Sequence, residues 1–104
     1  MMERYTPQAQ EALGLAVGVA ETLNHGYVGT EHLLIGLLQE GTGVAAKVLE
    51  ENGVEEDRVI ELVSQLIAPN PTVQTADRTA YTPRARRVIE NSYSCLLYTS
   101  DAAD

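Results

Sequence analysis

The fold is decided by residues 25–37, which read HGYVGTEHLLIGL and join a turn to the start of an amphipathic helix. Thr30 is a residue type that caps helix N-termini, and Glu31 places a negative charge in the first turn, where the helix dipole favours it. Gly41 is suited to end the helix. The buried stripe of this helix is predicted to consist of four leucines, Leu33, Leu34, Leu37 and Leu38.

Three more helices are predicted around this one. Thr6 followed by Pro7 is typical of an N-cap and a first-turn proline, and apolar residues then recur every three or four positions until a turn near 25–26. Further helices are predicted over about 44–51 and 55–67, each preceded by a glycine turn. With no sustained strand alternation, this pattern predicts an all-α fold. The inward faces of the last two helices are predicted to hold Val44, Ala45, Val48 and Leu49, and Val59, Leu62, Val63, Leu66 and Ile67.

A short motif near the start of the chain occurs a second time. Residues 5–13 read YTPQAQEAL and residues 81–89 read YTPRARRVI, so the threonine, the proline and the apolar positions match at an offset of 76 residues. By the same offset, a second turn and helix would begin after residue 100, and nothing like the GTEH of residues 29–32 follows. The sequence therefore predicts one four-helix repeat and the first helix of a truncated second repeat.

These patterns divide the chain into four parts. We predict a first repeat over 1–68, a linker over 69–80, the start of a second repeat over 81–93 and a non-native tail over 94–104. The linker carries two prolines and no helical stripe, which suits an extended connection. The tail reads SCLLYTSDAAD and resembles translated sequencing adapter fused to a gene fragment.

The charge of the chain is acidic and unevenly distributed. The 104 residues include 15 acidic and 7 basic side chains, for a net charge of −8. Residues 1–68 carry that whole excess, and residues 69–104 balance to zero. No nucleic-acid partner is predicted, because a negative chain is repelled by the phosphate backbone. The arginines of the second repeat are interpreted as a solvated face, Arg84, Arg86 and Arg87.

The location of the protein is predicted from what the sequence lacks. It has no run near the roughly 20 apolar residues that a bilayer crossing needs, and its first residues do not form a signal peptide. A single cysteine, Cys95, cannot form an internal disulfide. We therefore expect a soluble, cytoplasmic protein without a membrane partner.

No catalytic, cofactor or metal site is predicted, so we expect the chain not to be an enzyme. The sole lysine, Lys47, does not lie in a phosphate loop, which excludes ATP hydrolysis. Residues 41–46, GTGVAA, match a loose dinucleotide-binding pattern but follow a leucine-rich helix instead of a strand. His25 and His32, with Glu31, are a poor set of metal ligands, and the histidines are interpreted as turn residues bonded to the backbone.

Together these motifs resemble a known family. Residues 25–37, residues 40–46 (EGTGVAA) and the Tyr-Thr-Pro-x-Ala starts are similar to the Clp N-terminal repeat, and most similar to its ClpC-type members. In that family two four-helix repeats form the mobile N-terminal domain of ClpC- and ClpA-type AAA+ unfoldases. The resemblance covers residues 4–67 as one repeat and 81 to about 93 as the start of the next; the later helices of the second repeat and the ATPase module have no counterpart.

The resemblance implies that this chain is a binding module. It would dock protein substrates and adaptor proteins for a ClpC-type ATP-dependent unfoldase of the Clp protease system, and the AAA+ module would belong to the parent protein. The arginine face of the second repeat would then contact adaptors, although no single adaptor-binding residue is assigned. The alternative is a free-standing Clp N-domain protein that regulates proteolysis by competing for adaptors or substrates.

The resemblance also implies a ligand for the acidic turn. In ClpC-like domains the glutamate of the GTEH turn is associated with binding phosphorylated arginine on marked substrates, and here that residue is Glu31. A carboxylate can accept the guanidinium fork while a helix N-terminus accepts the phosphate. By this interpretation Thr6 marks the helix N-terminus and Arg4 adds a phosphate contact. The simpler interpretation of Glu31 is a carboxylate that stabilises its own helix.

Overall fold

The protein is a set of five helices in a computed structural model that describes residues 5–69 and 81–103, with side chains up to Ser94 in the last helix. Across these residues no strand is formed, and a single parallel bridge joins Val28 to Tyr81. The predicted all-α fold is confirmed. None of the described helices is long and apolar enough to span a membrane. The helices are α1 (Pro7–Thr22), α2 (Thr30–Glu40), α3 (Val44–Glu51), α4 (Glu56–Leu66) and α5 (Pro83–Ala103).

The helices can be assigned to the predicted parts of the chain. Helices α1 to α4 lie within the first repeat, and α5 begins with the second Tyr-Thr-Pro motif. The α5 helix extends to Ala103, through most of the 94–104 segment, whose non-native origin stays a prediction. Residues 70–80 of the predicted linker lie outside the described residues, as does Arg4.

The two copies of the Tyr-Thr-Pro motif form the same helix start. In α1, Thr6 is the N-cap, and its Oγ1 accepts a hydrogen bond from the Ala9 amide at 3.1 Å. Before α5, Oγ1 of Thr82 accepts from the Ala85 amide, also at 3.1 Å. A proline follows each threonine at the first helical position, where a backbone N–H has no intrahelical partner. The sequence repeat is therefore also a structural repeat in its first turn.

The start of α2 differs from the prediction by one residue. Gly29, and not Thr30, occupies the N-cap position, so the predicted Thr30 cap is wrong. The reason is that His32 reaches back over the turn, where its Nδ1 accepts the Gly29 N–H at 2.9 Å. A side chain at the third helical position thus satisfies the amide in the manner of a capping box.

Two buried histidines lie beneath this turn. His25 and His32 are 3% and 0% exposed, and His25 Nδ1 lies 2.7 Å from His32 Nε2. Because His32 Nδ1 accepts from Gly29, the hydrogen-bond pattern assigns the ring proton to Nε2, which donates to His25. Burial lowers the pKa of His32; the Glu31 charge opposes this shift and His25 adds to it. The two histidine rings therefore bond to each other, and the His32 ring also bonds to the backbone.

The contact between α1 and α2 forms the centre of the fold. A Cβ at Gly36 would collide with the carbonyl oxygen of Ala12 and lie 2.9 Å from the amide nitrogen of Ala16. Only glycine fits at this position without displacing the α1 backbone. The buried residues of the two helices are Ala12, Ala16, Val19 and Ala20 on α1 and His32, Ile35, Gly36 and Leu38 on α2.

The predicted apolar stripes of α2, α3 and α4 are only partly correct. Of the four α2 leucines only Leu38 is fully buried, because the histidine and glycine face of α2 is the one turned toward α1. On α3 the buried residue is Ala46, whereas Val44 and Val48 are 79% and 51% exposed. On α4, Leu66 is 82% exposed. These apolar side chains are exposed because the described residues do not cover the outer faces of the two helices.

Replacing Gly36 should separate the two central helices. We expect Gly36→Ala to lower the free energy of unfolding by about 1–3 kcal/mol, because its methyl group meets α1 backbone atoms that cannot rotate away. Gly18→Ala is the matched control: a Cβ at Gly18 meets nothing within 4 Å, so that change should stabilise the helix by about 0.5–1 kcal/mol. Urea denaturation measures both; a neutral Gly36→Ala would contradict the close contact.

Acid should destabilise the fold through His32. Its pKa is lowered in the folded state, so the unfolded chain binds more protons below the ordinary value of 6.5. The free energy of unfolding should therefore be constant from pH 8 to about 7 and fall as the pH drops from 6.5 to 5.5, above the range where carboxyl groups titrate. In the His32→Gln variant, which we expect to be less stable at pH 8 because it loses these buried contacts, this decrease should be smaller. Equal stability of the natural sequence at pH 8 and 5.5 would refute this role of His32.

Candidate functional site

The predicted site residue Glu31 lies half-exposed in the first turn of α2, above the buried histidines. Its Oε2 accepts a hydrogen bond from the hydroxyl of Tyr27 at 3.1 Å. The carboxylate folds back over Gly29, where a Cβ would lie 2.9 Å from Cδ of Glu31. Gly29 has φ of −101°, which any residue adopts, so glycine serves here to leave space for the carboxylate.

The tyrosine that holds Glu31 is itself fixed by the two histidines. The ring of Tyr27 stacks on His25, with centroids 5.9 Å apart and planes inclined by 15°, and meets His32 edge-on at 5.4 Å. Burial raises the pKa of Tyr27, and the charge and hydrogen bond of Glu31 raise it further. The hydroxyl therefore stays protonated at neutral pH and remains a donor to the carboxylate. The sequence interpretation missed this residue, although a tyrosine four positions before the glutamate was visible.

The N-terminus of α5 is joined to the segment that leads into Glu31. Val28 pairs with Tyr81, and the Thr82 amide donates to the Val28 carbonyl oxygen at 3.0 Å. This pairing places the start of α5 beside Val28, which is three residues before Glu31 in the sequence. Arg84, exposed in that first turn, adds a positive charge to the positive end of the helix dipole.

Thr6 lies at the other end of α2 from Glu31. It lines a cavity with Leu37 and Glu40 in the last turns of α2 and with the first turn of α3. Glu31 and Glu40 are separated by about 13 Å along the helix axis, at about 1.5 Å per residue. The structure therefore does not bring Thr6 and Glu31 together, and Arg4 is outside the described residues. The helix cap joined to the segment before Glu31 is Thr82. The 76-residue repeat marks Thr82 as a helix cap, but its place beside this segment comes from the pairing of Val28 with Tyr81.

Two features of this arrangement could each bind a charged group. Glu31 supplies a negative charge, and the first turn of α5 supplies backbone amides, a positive dipole end and Arg84. A ligand with a cationic and an anionic group would find a partner for each. In the part of the chain that the structure describes, no three His, Cys, Asp or Glu side chains are placed to hold a metal ion.

Known proteins are similar in sequence to most of this chain. Residues 4–100 match the family described as the Clp repeat (R) N-terminal domain. ClpC, the ATP-dependent Clp protease ATP-binding subunit of Staphylococcus aureus strain USA300, is 48% identical over 89 residues, which cover 86% of this chain and 11% of that protein. The chaperone protein ClpB of Oceanobacillus iheyensis is 42% identical over 92 residues, covering 88% of this chain and 11% of ClpB. The chain therefore belongs to the family of Clp repeat N-terminal domains.

Proposed function

We propose that the chain is a substrate- and adaptor-binding N-terminal module of a ClpC-type unfoldase, and that it binds phosphorylated arginine on marked proteins. The observation that carries the proposal is the Glu31 carboxylate, which the Tyr27 hydroxyl holds in the first turn of α2, just after the segment in which Val28 pairs with the start of α5. Membership of the Clp repeat family supports the role of a binding module.

The two halves of phosphoarginine match the two features of the site. The guanidinium presents N–H donors in a planar fork, which a carboxylate such as Glu31 accepts. The phosphate suits the first turn of α5, where Thr82 caps the helix and Arg84 adds charge. Because a carboxylate repels phosphate, a ligand uses both features only when its guanidinium lies at Glu31 and its phosphate lies at the first turn of α5. Such recognition would favour phosphoarginine over unmodified arginine, which lacks the phosphate, and over phosphoserine, which lacks the guanidinium and binds more weakly through its phosphate alone.

The charge distribution of the chain supports the same orientation. Residues 1–68 carry the whole net charge of −8, so that repeat by itself repels an anionic ligand. The three arginines of α5, all exposed, supply a local positive field. The phosphate is therefore expected to lie on the α5 side of the site.

The activity of the whole protein also belongs to the proposal. The chain spans 11% of the length of the curated relatives that it matches. We propose that a parent protein carries an AAA+ module, acts in the cytoplasm and delivers substrates to a Clp protease. A free-standing regulator that competes for adaptors would use the same site; a coding sequence that continues in frame into an AAA+ module would decide for the unfoldase.

Removing the carboxylate should abolish ligand binding without unfolding the protein. We expect Glu31→Ala to reduce binding of a phosphoarginine peptide below detection in isothermal titration calorimetry, because the guanidinium loses its charged acceptor. Glu56→Ala is the matched control, since Glu56 is also a first-turn glutamate, in α4. Circular dichroism should show unchanged helix content in both variants. Undiminished binding by Glu31→Ala would end the proposal.

The helix that receives the phosphate can be identified with a pair of cap variants. Thr82→Ala and Thr6→Ala each remove an equivalent hydroxyl cap, and each should cost about 1 kcal/mol of stability. We expect only Thr82→Ala to weaken phosphoarginine binding, because α5 is the helix joined to the Glu31 turn. Weaker binding by Thr6→Ala alone would instead favour the pairing of Thr6 with Glu31 that the sequence predicts.

A further inference from the structure

Tyr27 is the polar side chain in direct contact with the proposed guanidinium acceptor. Its hydroxyl donates to Oε2 of Glu31, four residues later in the sequence, at 3.1 Å. On the basis of the proposed function, we propose that Tyr27 is a positioning residue that orients the Glu31 carboxylate toward a guanidinium ligand. The ligand class is an N-phosphorylated guanidinium, and the role of Tyr27 is to select for its guanidinium half.

The side chain of Glu31 is half-exposed and intrinsically flexible. A free glutamate side chain samples several rotamers, and fixing it on binding costs conformational entropy. The Tyr27 hydroxyl removes much of that freedom before the ligand arrives. It donates to Oε2, while Oε1 lies on the Gly29 side, where the missing side chain leaves room for the carboxylate.

The Tyr27 hydroxyl that donates to Glu31 is itself held in place. The Tyr27 ring is packed against both imidazoles, which are buried and hydrogen-bonded to each other. His32 is tied in turn to the Gly29 amide. The packing of the ring against the core therefore fixes the position of the hydroxyl, and the hydrogen bond from this hydroxyl orients the Glu31 carboxylate. A surface rotamer is thus determined by a buried network.

The test compares Tyr27→Phe with a matched tyrosine change. Tyr27→Phe deletes one hydroxyl and keeps the packed ring, whereas Tyr93→Phe makes the same deletion beside Tyr5, about 16 Å along α5 from Thr82. Gly29→Ala displaces the same carboxylate without altering Tyr27. Each variant of the full chain is titrated with a phosphoarginine peptide and a phosphoserine peptide of otherwise identical sequence, and its melting temperature is recorded.

We expect Tyr27→Phe and Gly29→Ala to weaken phosphoarginine binding about tenfold, in line with the loss of one charge-assisted hydrogen bond. Phosphoserine binding, which does not use the carboxylate, should not weaken, so the preference for phosphoarginine falls. Tyr93→Phe should leave both affinities unchanged. A purely structural role of Tyr27 would lower both affinities with the melting temperature, which would overturn the inference.

Two further outcomes separate this inference from the proposed function. If the natural sequence binds phosphoarginine and Tyr27→Phe binds it equally well, the positioning role is wrong while the proposed function stands. If the natural sequence does not bind phosphoarginine at all, the proposed function fails and the positioning role fails with it.

Discussion

The missing side chain at Gly36 sets how closely α1 and α2 approach, and the rest of the structure depends on that distance. With the helices in close contact, alanines of α1 are buried against α2. His32 lies four residues before Gly36 on the same face of α2, so it is carried into the interior with it. From there His32 bonds to His25 and to the Gly29 amide and shapes the turn that presents Glu31.

Features that depend on neighbours in the sequence could be predicted, and features that depend on distant elements could not. The cap at Thr6 and its copy at Thr82 are local hydrogen bonds, so the sequence indicated where α1 and α5 begin. The exposure of Val44 and Val48 is different. Their spacing on α3 is the same as that of a buried stripe. Whether such a stripe is buried depends on whether another element of the fold packs against it.

The same distinction separates the parts of the candidate site. Glu31 could be found because the GTEH motif is continuous in sequence. The sequence interpretation paired it with Thr6, the threonine cap of the same repeat. However, α2 follows α1 after a reversal of the chain, so Thr6 meets the end of α2 and not its start. The pairing of Val28 with Tyr81 is a tertiary contact that no periodicity could indicate.

The backbone pairing between Val28 and the start of α5 has a thermodynamic consequence. It joins parts of the chain that are 53 positions apart, one from each predicted repeat. A ligand that contacts both Glu31 and the first turn of α5 binds only while these parts are together, so its binding energy adds to the stability of their association. By reciprocity, a change that loosens this association lowers the apparent affinity for the ligand to the extent that the separated form becomes populated. The association of the two predicted repeats and the binding of the ligand are then thermodynamically linked, so a measurement of either one reports on the other.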